Sequence, residues 1–424
     1  MTRNNICILP WVSIAVMPTG NVYPCCMTTN YKSAGNVNDS TLEEIWNGER
    51  MQYIRTSMLE DKKLDMCSEC WKVEEKGNEH STRNWANRNF KHHFNLLDNT
   101  IDGKTDLNLV YTDIRFSNKC NLMCFYCGPV FSSKWEAFNK KQFKNYKPLP
   151  PISDTKQLLS SLLEHSSSLE QIYLAGGEPS IMDESYTMLE MMIDIGIASN
   201  IKLLLNSNMS NKTYKHNGIV KNFWDLISQF KEVELSASID EIEERAEWIR
   251  YGEKWDNIVE TNDYVKQYPN INVHYSPVMS IFNFHRLPEM FLYWQDKGWI
   301  DKHFNIILPA EPGFGTNADF KFLPYEFKLQ TKEKLEKFMK DEVLVVRNQP
   351  LANTISSLIT SMIDYNDNSK TIRFKLPNDS TESTSLRVTR SLEQVSWDIN
   401  LHDKVRKAQF SDIFPELNFL KTTK

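Results

Sequence analysis

The sequence is poor in glycine, with 14 residues in 424, so few positions allow a left-handed turn or a close backbone approach. An adjacent glycine pair therefore stands out. Cysteine is sparse too: eight residues, none after Cys127. That excludes a disulfide scaffold in a chain this long, and the clustering points to metal ligation instead. No excess of positive charge exists. Lys+Arg 49 against Asp+Glu 55 gives a net charge of −6, which argues against a dedicated nucleic-acid or membrane partner. No run reaches the ~18 uninterrupted apolar residues of a membrane helix. Charge is missing altogether from Asn4 to Tyr31, and Arg3 precedes an apolar run from Ile6 to Met17. This mimics a secretory signal, but Pro10 and Pro18 interrupt the run and no small-x-small cleavage site follows. The expected location is cytoplasmic, where thiols stay reduced.

What is present is a globular composition, 41% apolar and 25% charged, long enough for two or three structural units. Cys7, Cys25, Cys26, Cys67 and Cys70 form one group; Cys120, Cys124 and Cys127 form another. Between them, Asn38–Ser57 reads as one helix capped by Asp39 or Ser40, and the polar stretch Glu74–Asn89 as a surface connection. Six strand-like runs follow: Leu109–Phe116, Gln171–Leu174, Ile201–Leu205, Val233–Ser238, Ile271–Pro277 and Phe304–Leu308. Helical patterns at Lys156–Ser166, Asp183–Ile197, Val220–Phe230, Trp255–Lys266 and Leu287–Lys297 separate most of them. This alternation is an α/β fold, a parallel sheet of the partial (β/α)6 barrel kind. Past Pro312 the repeat ends. Helices are expected at Phe327–Lys340, Ser356–Tyr365 and Ser391–Phe410, with a loop or short hairpin at Asn366–Ser385. The expected units are 1–90, a cysteine-rich module; 107–312, the core; and 313–424, a mainly helical extension.

Cys120-Asn-Leu-Met-Cys124-Phe-Tyr-Cys127 directly follows the first strand. Three thiolates on one loop can hold three corners of an iron–sulfur cube and leave the fourth iron open. A zinc site completed by a distant His is the alternative, although zinc sites usually pair their cysteines as C-x2-C twice. The second motif is Gly176-Gly177-Glu178-Pro179, at the end of the second strand. Paired glycines there let the backbone approach a ligand, and Glu178 can bond a cationic amine. Asn206-Ser-Asn208 follows the third strand. Ser236, Ser238 and Asp240 follow the period of two at the end of the fourth, where they can meet ribose hydroxyls. Arg250 can pair with a carboxylate. His92-His93 reads as solvated, Met188, Met191 and Met192 as core, and Trp294 and Trp299 as packing.

C-x3-C-x2-C with Tyr126 before the last Cys, followed by Gly-Gly-Glu-Pro in a (β/α) repeat, resembles the radical S-adenosylmethionine (SAM) superfamily from about Leu107 to Pro312. The resemblance implies that Cys120, Cys124 and Cys127 ligate a 4Fe–4S cluster whose unique iron binds SAM. Gly176, Gly177 and Glu178 would then hold the methionine amine, Ser238 and Asp240 the ribose, and Arg250 the carboxylate, with Tyr126, Asn208 and Ser236 nearby. It implies reductive cleavage of SAM to a 5′-deoxyadenosyl radical that takes hydrogen from a substrate. Beyond the cluster and SAM site, no catalytic residue follows from it. Cys7-x12-Gly20-x4-Cys25 with Cys67-Ser-Glu-Cys70 resembles the twitch module, a short SPASM domain, here ahead of the barrel as in phage and bacterial relatives. This implies a second, auxiliary 4Fe–4S cluster on Cys7, Cys25, Cys67 and Cys70, with Cys25 preferred over Cys26; a zinc ribbon is the alternative. Expected partners are a peptide substrate, or else a carbohydrate, nucleotide or other small molecule, and an electron donor such as flavodoxin or ferredoxin. If the chain is phage-encoded, its place is the host cytoplasm. The alternative of another class is a non-catalytic iron–sulfur binding or electron-transfer protein. The intact Gly176-Gly177-Glu178 element speaks against it, since an electron carrier needs no site for the SAM amine.

Overall fold

The computed structural model describes residues 4–75, 77, 79–300, 318–342, 345–346, 348–364, 372–374, 386–388 and 392–421. The strands through the core are β1 (Ser13–Val16), β2 (Asn21–Tyr23), β3 (Gly35–Asn36), β4 (Tyr111–Ile114), β5 (Met123–Cys124) and β6 (Gln171–Leu174). They continue with β7 (Lys202–Ser207), β8 (Thr213–His216), β9 (Ile219–Asn222), β10 (Glu232–Ala237), β11 (Arg250–Tyr251) and β12 (Ile271–Tyr275). One eight-stranded sheet runs in the order β12-β10-β7-β6-β4-β1-β2-β3. From β4 to β12 every neighbour pair is parallel and sequential. Right-handed crossovers in one direction put all the connecting helices on one face.

Alternation then sorts the side chains. In β10, Val233, Leu235 and Ala237 are buried toward the helices, while Glu232, Glu234 and Ser236 point the other way. Register carries the polar face across the sheet: Asp113 pairs with Tyr173, Tyr173 with Leu204, Leu204 with Glu234, and Ser236 with His274. One side is therefore an apolar core and the other a polar, partly open trough.

The sixth strand expected at Phe304–Leu308 lies outside the described residues. A sixth parallel strand does exist, but it is β1, which pairs with β4 in parallel register. The Ile6–Met17 run is thus core rather than a leader-like segment: Leu9–Val12 forms a short helix and β1 follows it, all buried. The cysteine-rich module and the barrel share one sheet, with β2 and β3 continuing it antiparallel.

Five expectations need correction. Asn38–Ser57 is two helices, Leu42–Trp46 and Glu49–Leu59, broken at Asn47-Gly48. The cap is Thr41, in a capping box with Glu44, rather than Asp39 or Ser40. Glu74–Asn89 is not a mere connection. It holds the end of helix Ser68–Glu75 and all of helix Thr82–Asn89, clamped by Glu74 accepting from Ser81 and Arg83. Val220–Phe230 begins as strand, because Asn217 and Gly218 at φ 48° and 82° make a tight turn joining β8 to β9. The helix there is only Phe223–Ile227, capped by Asn222. Met191 is 37% exposed, whereas Met188 and Met192 are core. Trp294 and Trp299 are buried as expected.

Beyond the sheet, helices Tyr325–Asp341, Gln349–Ile363 and Leu392–Arg406 form the extension. Ile372–Phe374 pairs antiparallel with Leu386–Val388. Among the described residues, no helix is long and apolar enough to cross a membrane.

Arg55 ties the module together. It is fully buried, has no acidic partner among the described residues, and donates to the carbonyls of Pro10, Trp46 and Gly103 at 2.8, 2.8 and 3.1 Å. Its guanidinium also stacks over Trp46 at 4.5 Å. Arg55→Met should strip three buried carbonyls of their donor and cost about 3 kcal/mol. The midpoint of urea unfolding checks this; a wild-type midpoint would mean the carbonyls find other partners.

Candidate active site

The loop after β4 carries three cysteines and is held from three sides. On one side, its own β5 pairs antiparallel with β11, so Arg250 faces Cys124 and Tyr251 faces Met123. Phe125 N–H donates to Ile249 O at 2.8 Å beside this pair. On the second side lies the Gly-Gly-Glu turn: Gly177 N–H donates to Ser117 O at 3.2 Å and Glu178 N–H to Lys119 O at 2.8 Å. Gly176 has φ +109°, and a Cβ on Gly177 would stand 2.1 Å from Lys119 O. Only glycine allows the two loops to meet this closely. On the third side is the start of helix Ser133–Gln142. Ser133 Oγ accepts from Cys120 N–H and donates to Cys120 O, and Trp135 Nε1–H donates to Cys124 O at 2.8 Å.

The three thiols are half-buried on this loop. Burial pushes Cys120 up to about 12, so its thiolate needs a compensating positive charge. Arg250 gives part of it, with Nη1 3.7 Å from Cys124 Sγ. Its Nε lies 2.7 Å from Asp240 Oδ2, an ion pair whose N–H is not aimed for a hydrogen bond.

Several expected contacts are engaged differently. Glu178 is 1% exposed; Oε1 accepts from Ser180 N–H, Ser180 Oγ and Ser207 Oγ, and Oε2 from Asn208 N–H. It braces the glycine turn against the end of β7, leaving only Oε2 with capacity for a further donor. Asn208 donates from Nδ2 to Asn121 Oδ1 at 3.0 Å and steadies the cluster loop. Asp240 is fully buried, accepts from Val278 N–H and pairs with Arg250, which it positions. Ser236 and Ser238 stay half-buried on the polar face, with Ser236 Oγ on Ser276 Oγ at 2.8 Å. Tyr126 hydroxyl meets Ser280 Oγ.

Sequence reasoning missed Arg406. From the C-terminal helix it donates to Trp248 O at 2.7 Å and Met123 O at 3.3 Å, both beside the cluster loop. Burial pushes it down to about 9. Nothing in its local sequence marks a partner 283 residues away.

The second cysteine group converges in the module. After burial, the main influences on Cys7 include the neighbouring Cys67 and Cys70, and on Cys25 they include Cys7 and Cys67. Cys26 lies near Asp113 and Arg115 as well as Cys70, and burial pushes its thiol up to about 12.

A tetrahedral zinc ion with Zn–S near 2.3 Å requires sulfurs about 3.8 Å apart. Among the described residues, no three cysteine sulfurs lie within 4.8 Å of one another. The thiolate donor sets, three on one loop and four in the module, match what iron–sulfur cubes take from a protein.

Residues 7–71 match the model of an iron–sulfur cluster-binding domain, SPASM, and residues 114–292 that of the radical SAM superfamily. The chain thus carries both domains, SPASM first. They imply a 4Fe–4S cluster with SAM and further iron–sulfur binding. No curated protein matches the chain. Among solved structures, anSMEcpe with bound AdoMet is similar at 17% identity and TM-score 0.36, over 53% of this chain and 57% of that one. Streptococcus suis SuiB bound to precursor peptide SuiA is similar at 12% identity and TM-score 0.37, over 67% of this chain and 62% of that one. SuiB bound to S-adenosylmethionine gives 14% and 0.36, over 65% and 58%. The chain spans less than two thirds of the length of each.

Two outcomes test the site. Anaerobic iron counting should give near eight irons per chain for wild type and Cys26→Ala, and about four for Cys25→Ala, Cys67→Ala or Cys120→Ala. Loss of four irons in Cys26→Ala but not in Cys25→Ala would reverse the assignment. Gly177→Ala should force the turn off Lys119 O and weaken SAM binding at least ~10-fold by calorimetry, about 1.4 kcal/mol. Unchanged affinity would remove the turn from the SAM site.

Proposed function

We propose that this chain is a radical SAM enzyme, with SAM bound between the cysteine loop, the Gly176-Gly177 turn and the inner strand ends. The observation that carries the reading is the clamp itself. Two motifs 49 residues apart are hydrogen-bonded together at a distance only glycine permits. Cys120, Cys124 and Cys127 would hold the cluster and leave one iron for SAM. When bound, the pair supplies one-electron cleavage of the SAM sulfonium and hence hydrogen-atom abstraction.

The chain's own residues bind and orient. The glycine turn offers backbone groups to the methionine end, with Glu178 fixing its shape. Arg250 adds positive charge beside Cys124, held there by Asp240. Ser236 and Ser238 remain for the ribose. The trough supplies substrate contacts. Lys202 reaches Glu234 at 2.9 Å and Glu232 at 3.1 Å, and His274 also bonds Glu234. That His274 bond is the main reason the Glu234 carboxyl is held down to about 2. Across the sheet Arg115 pairs with Asp113 at 3.1 Å.

A peptide is the substrate class suggested by the SPASM-like module, read here as its single-cluster twitch form with Cys7, Cys25, Cys67 and Cys70 as ligands. A polar small molecule such as a carbohydrate or nucleotide is the second reading, favoured by this charged trough. A one-electron donor, flavodoxin or ferredoxin, completes the scheme.

Anaerobically reconstituted, dithionite-reduced protein should release 5′-deoxyadenosine and methionine from SAM in equal amounts. No 5′-deoxyadenosine from protein with its full iron content would sink the enzyme reading and leave an iron–sulfur carrier.

A further inference from the structure

His92 is exposed as expected, but it and the half-buried His93 share one carboxylate partner. They sit on the 3-10 helix Lys91–Leu97, between the cysteine-rich module and the barrel. Both Nε2 atoms lie 2.8 Å from the same oxygen, Glu170 Oε1. The two rings are 4.2 Å apart, tilted by 44°. Glu170 is fixed by backbone on either side: its N–H donates to Val110 O and its carbonyl accepts from Lys202 N–H, each at 2.9 Å. The side chains of His92, His93 and Glu170 are 57%, 19% and 39% exposed, so water and ions reach them.

Two imidazole nitrogens and a carboxylate oxygen thus converge, all within 4.8 Å of one another. No other three such ligand atoms do so among the described residues. Zinc bonds of about 2.0–2.2 Å at tetrahedral angles put donors about 3.3 Å apart. The trio therefore needs only a small opening to admit an ion, with the protons now shared with Oε1 released to solvent. Two histidines and one carboxylate, with a position left for water, is a donor set for a divalent first-row transition metal. Its nitrogen and oxygen donors are unlike the thiolates that serve the clusters. Partial burial pushes the Glu170 carboxyl up, but the two histidine bonds outweigh it and hold it below its usual range.

We propose that His92, His93 and Glu170 form a third metal site, selective for a zinc-like divalent ion. It would bridge the module's trailing helix to the start of β6. The inference is independent of the radical SAM reading, since it uses none of the cysteines or SAM contacts.

The test uses the full chain with both clusters reconstituted and loosely bound metal removed by a weak chelator. Zn2+ titrated by calorimetry should give one binding event. His92→Ala, His93→Ala and Glu170→Gln should each abolish it with iron content per chain unchanged. Co2+ should give weak ligand-field bands of nitrogen and oxygen ligation. Intense thiolate-to-cobalt charge transfer would place the ion on cysteines and overturn the proposal. So would an isotherm that survives Glu170→Gln and His93→Ala. Double substitution His92→Ala/His93→Ala with wild-type unfolding midpoint and no Zn2+ uptake would separate lost ligation from lost folding.

Discussion

The two-residue ladder between Met123–Cys124 and Arg250–Tyr251 is the interaction on which the site depends. A loop carrying three thiols has no regular structure of its own. Pairing with β11 turns it into an edge of the fold, and the same pairing delivers Arg250 to Cys124. Asp240 then fixes Arg250, Asn208 fixes Asn121, and Arg406 covers the outer side at Met123. Remove the ladder and each of these residues loses what it is positioned against.

The chemistry-bearing residues were legible because their spacing is local. Cys120, Cys124 and Cys127 announce themselves within eight residues, and the glycine pair stands out in a glycine-poor chain. Strands β4, β6, β7, β10 and β12 follow from runs of apolar residues between helical patterns. What local pattern cannot convey is pairing. That Ser13–Val16 joins Tyr111–Ile114 depends on a contact nearly one hundred residues away in sequence, and no periodicity records it. Glu178 and Asp240 share the problem. Their charge suggested ligand contact, and the internal partners each also holds on other elements leave no trace in the local sequence. The hairpin β8–β9 is different: Asn217-Gly218 is a local turn signal, overridden in the reading by the helical pattern after it.

Polarity divides the sheet more sharply than composition suggests. Glu232, Glu234, Lys202, His274, Asp113 and Arg115 all lie on the face away from the crossover helices. Burying ionic groups in a sheet is costly unless they are paired, and here they are paired with one another. The pairing lets the trough stay charged and structured, ready to exchange internal partners for those of a bound molecule.

The module's first strand is also the barrel's neighbour strand, and that has a mechanical meaning. Cys25 ends the segment that continues β1 and β2, while Cys120 follows β4, and β1 and β4 are hydrogen-bonded side by side. The two cysteine groups are therefore tied into one sheet, Cys25 leaving the end of β2 and Cys120 following β4, with β1 between them. Their spacing is therefore tied to the register of three paired strands rather than to a flexible linker.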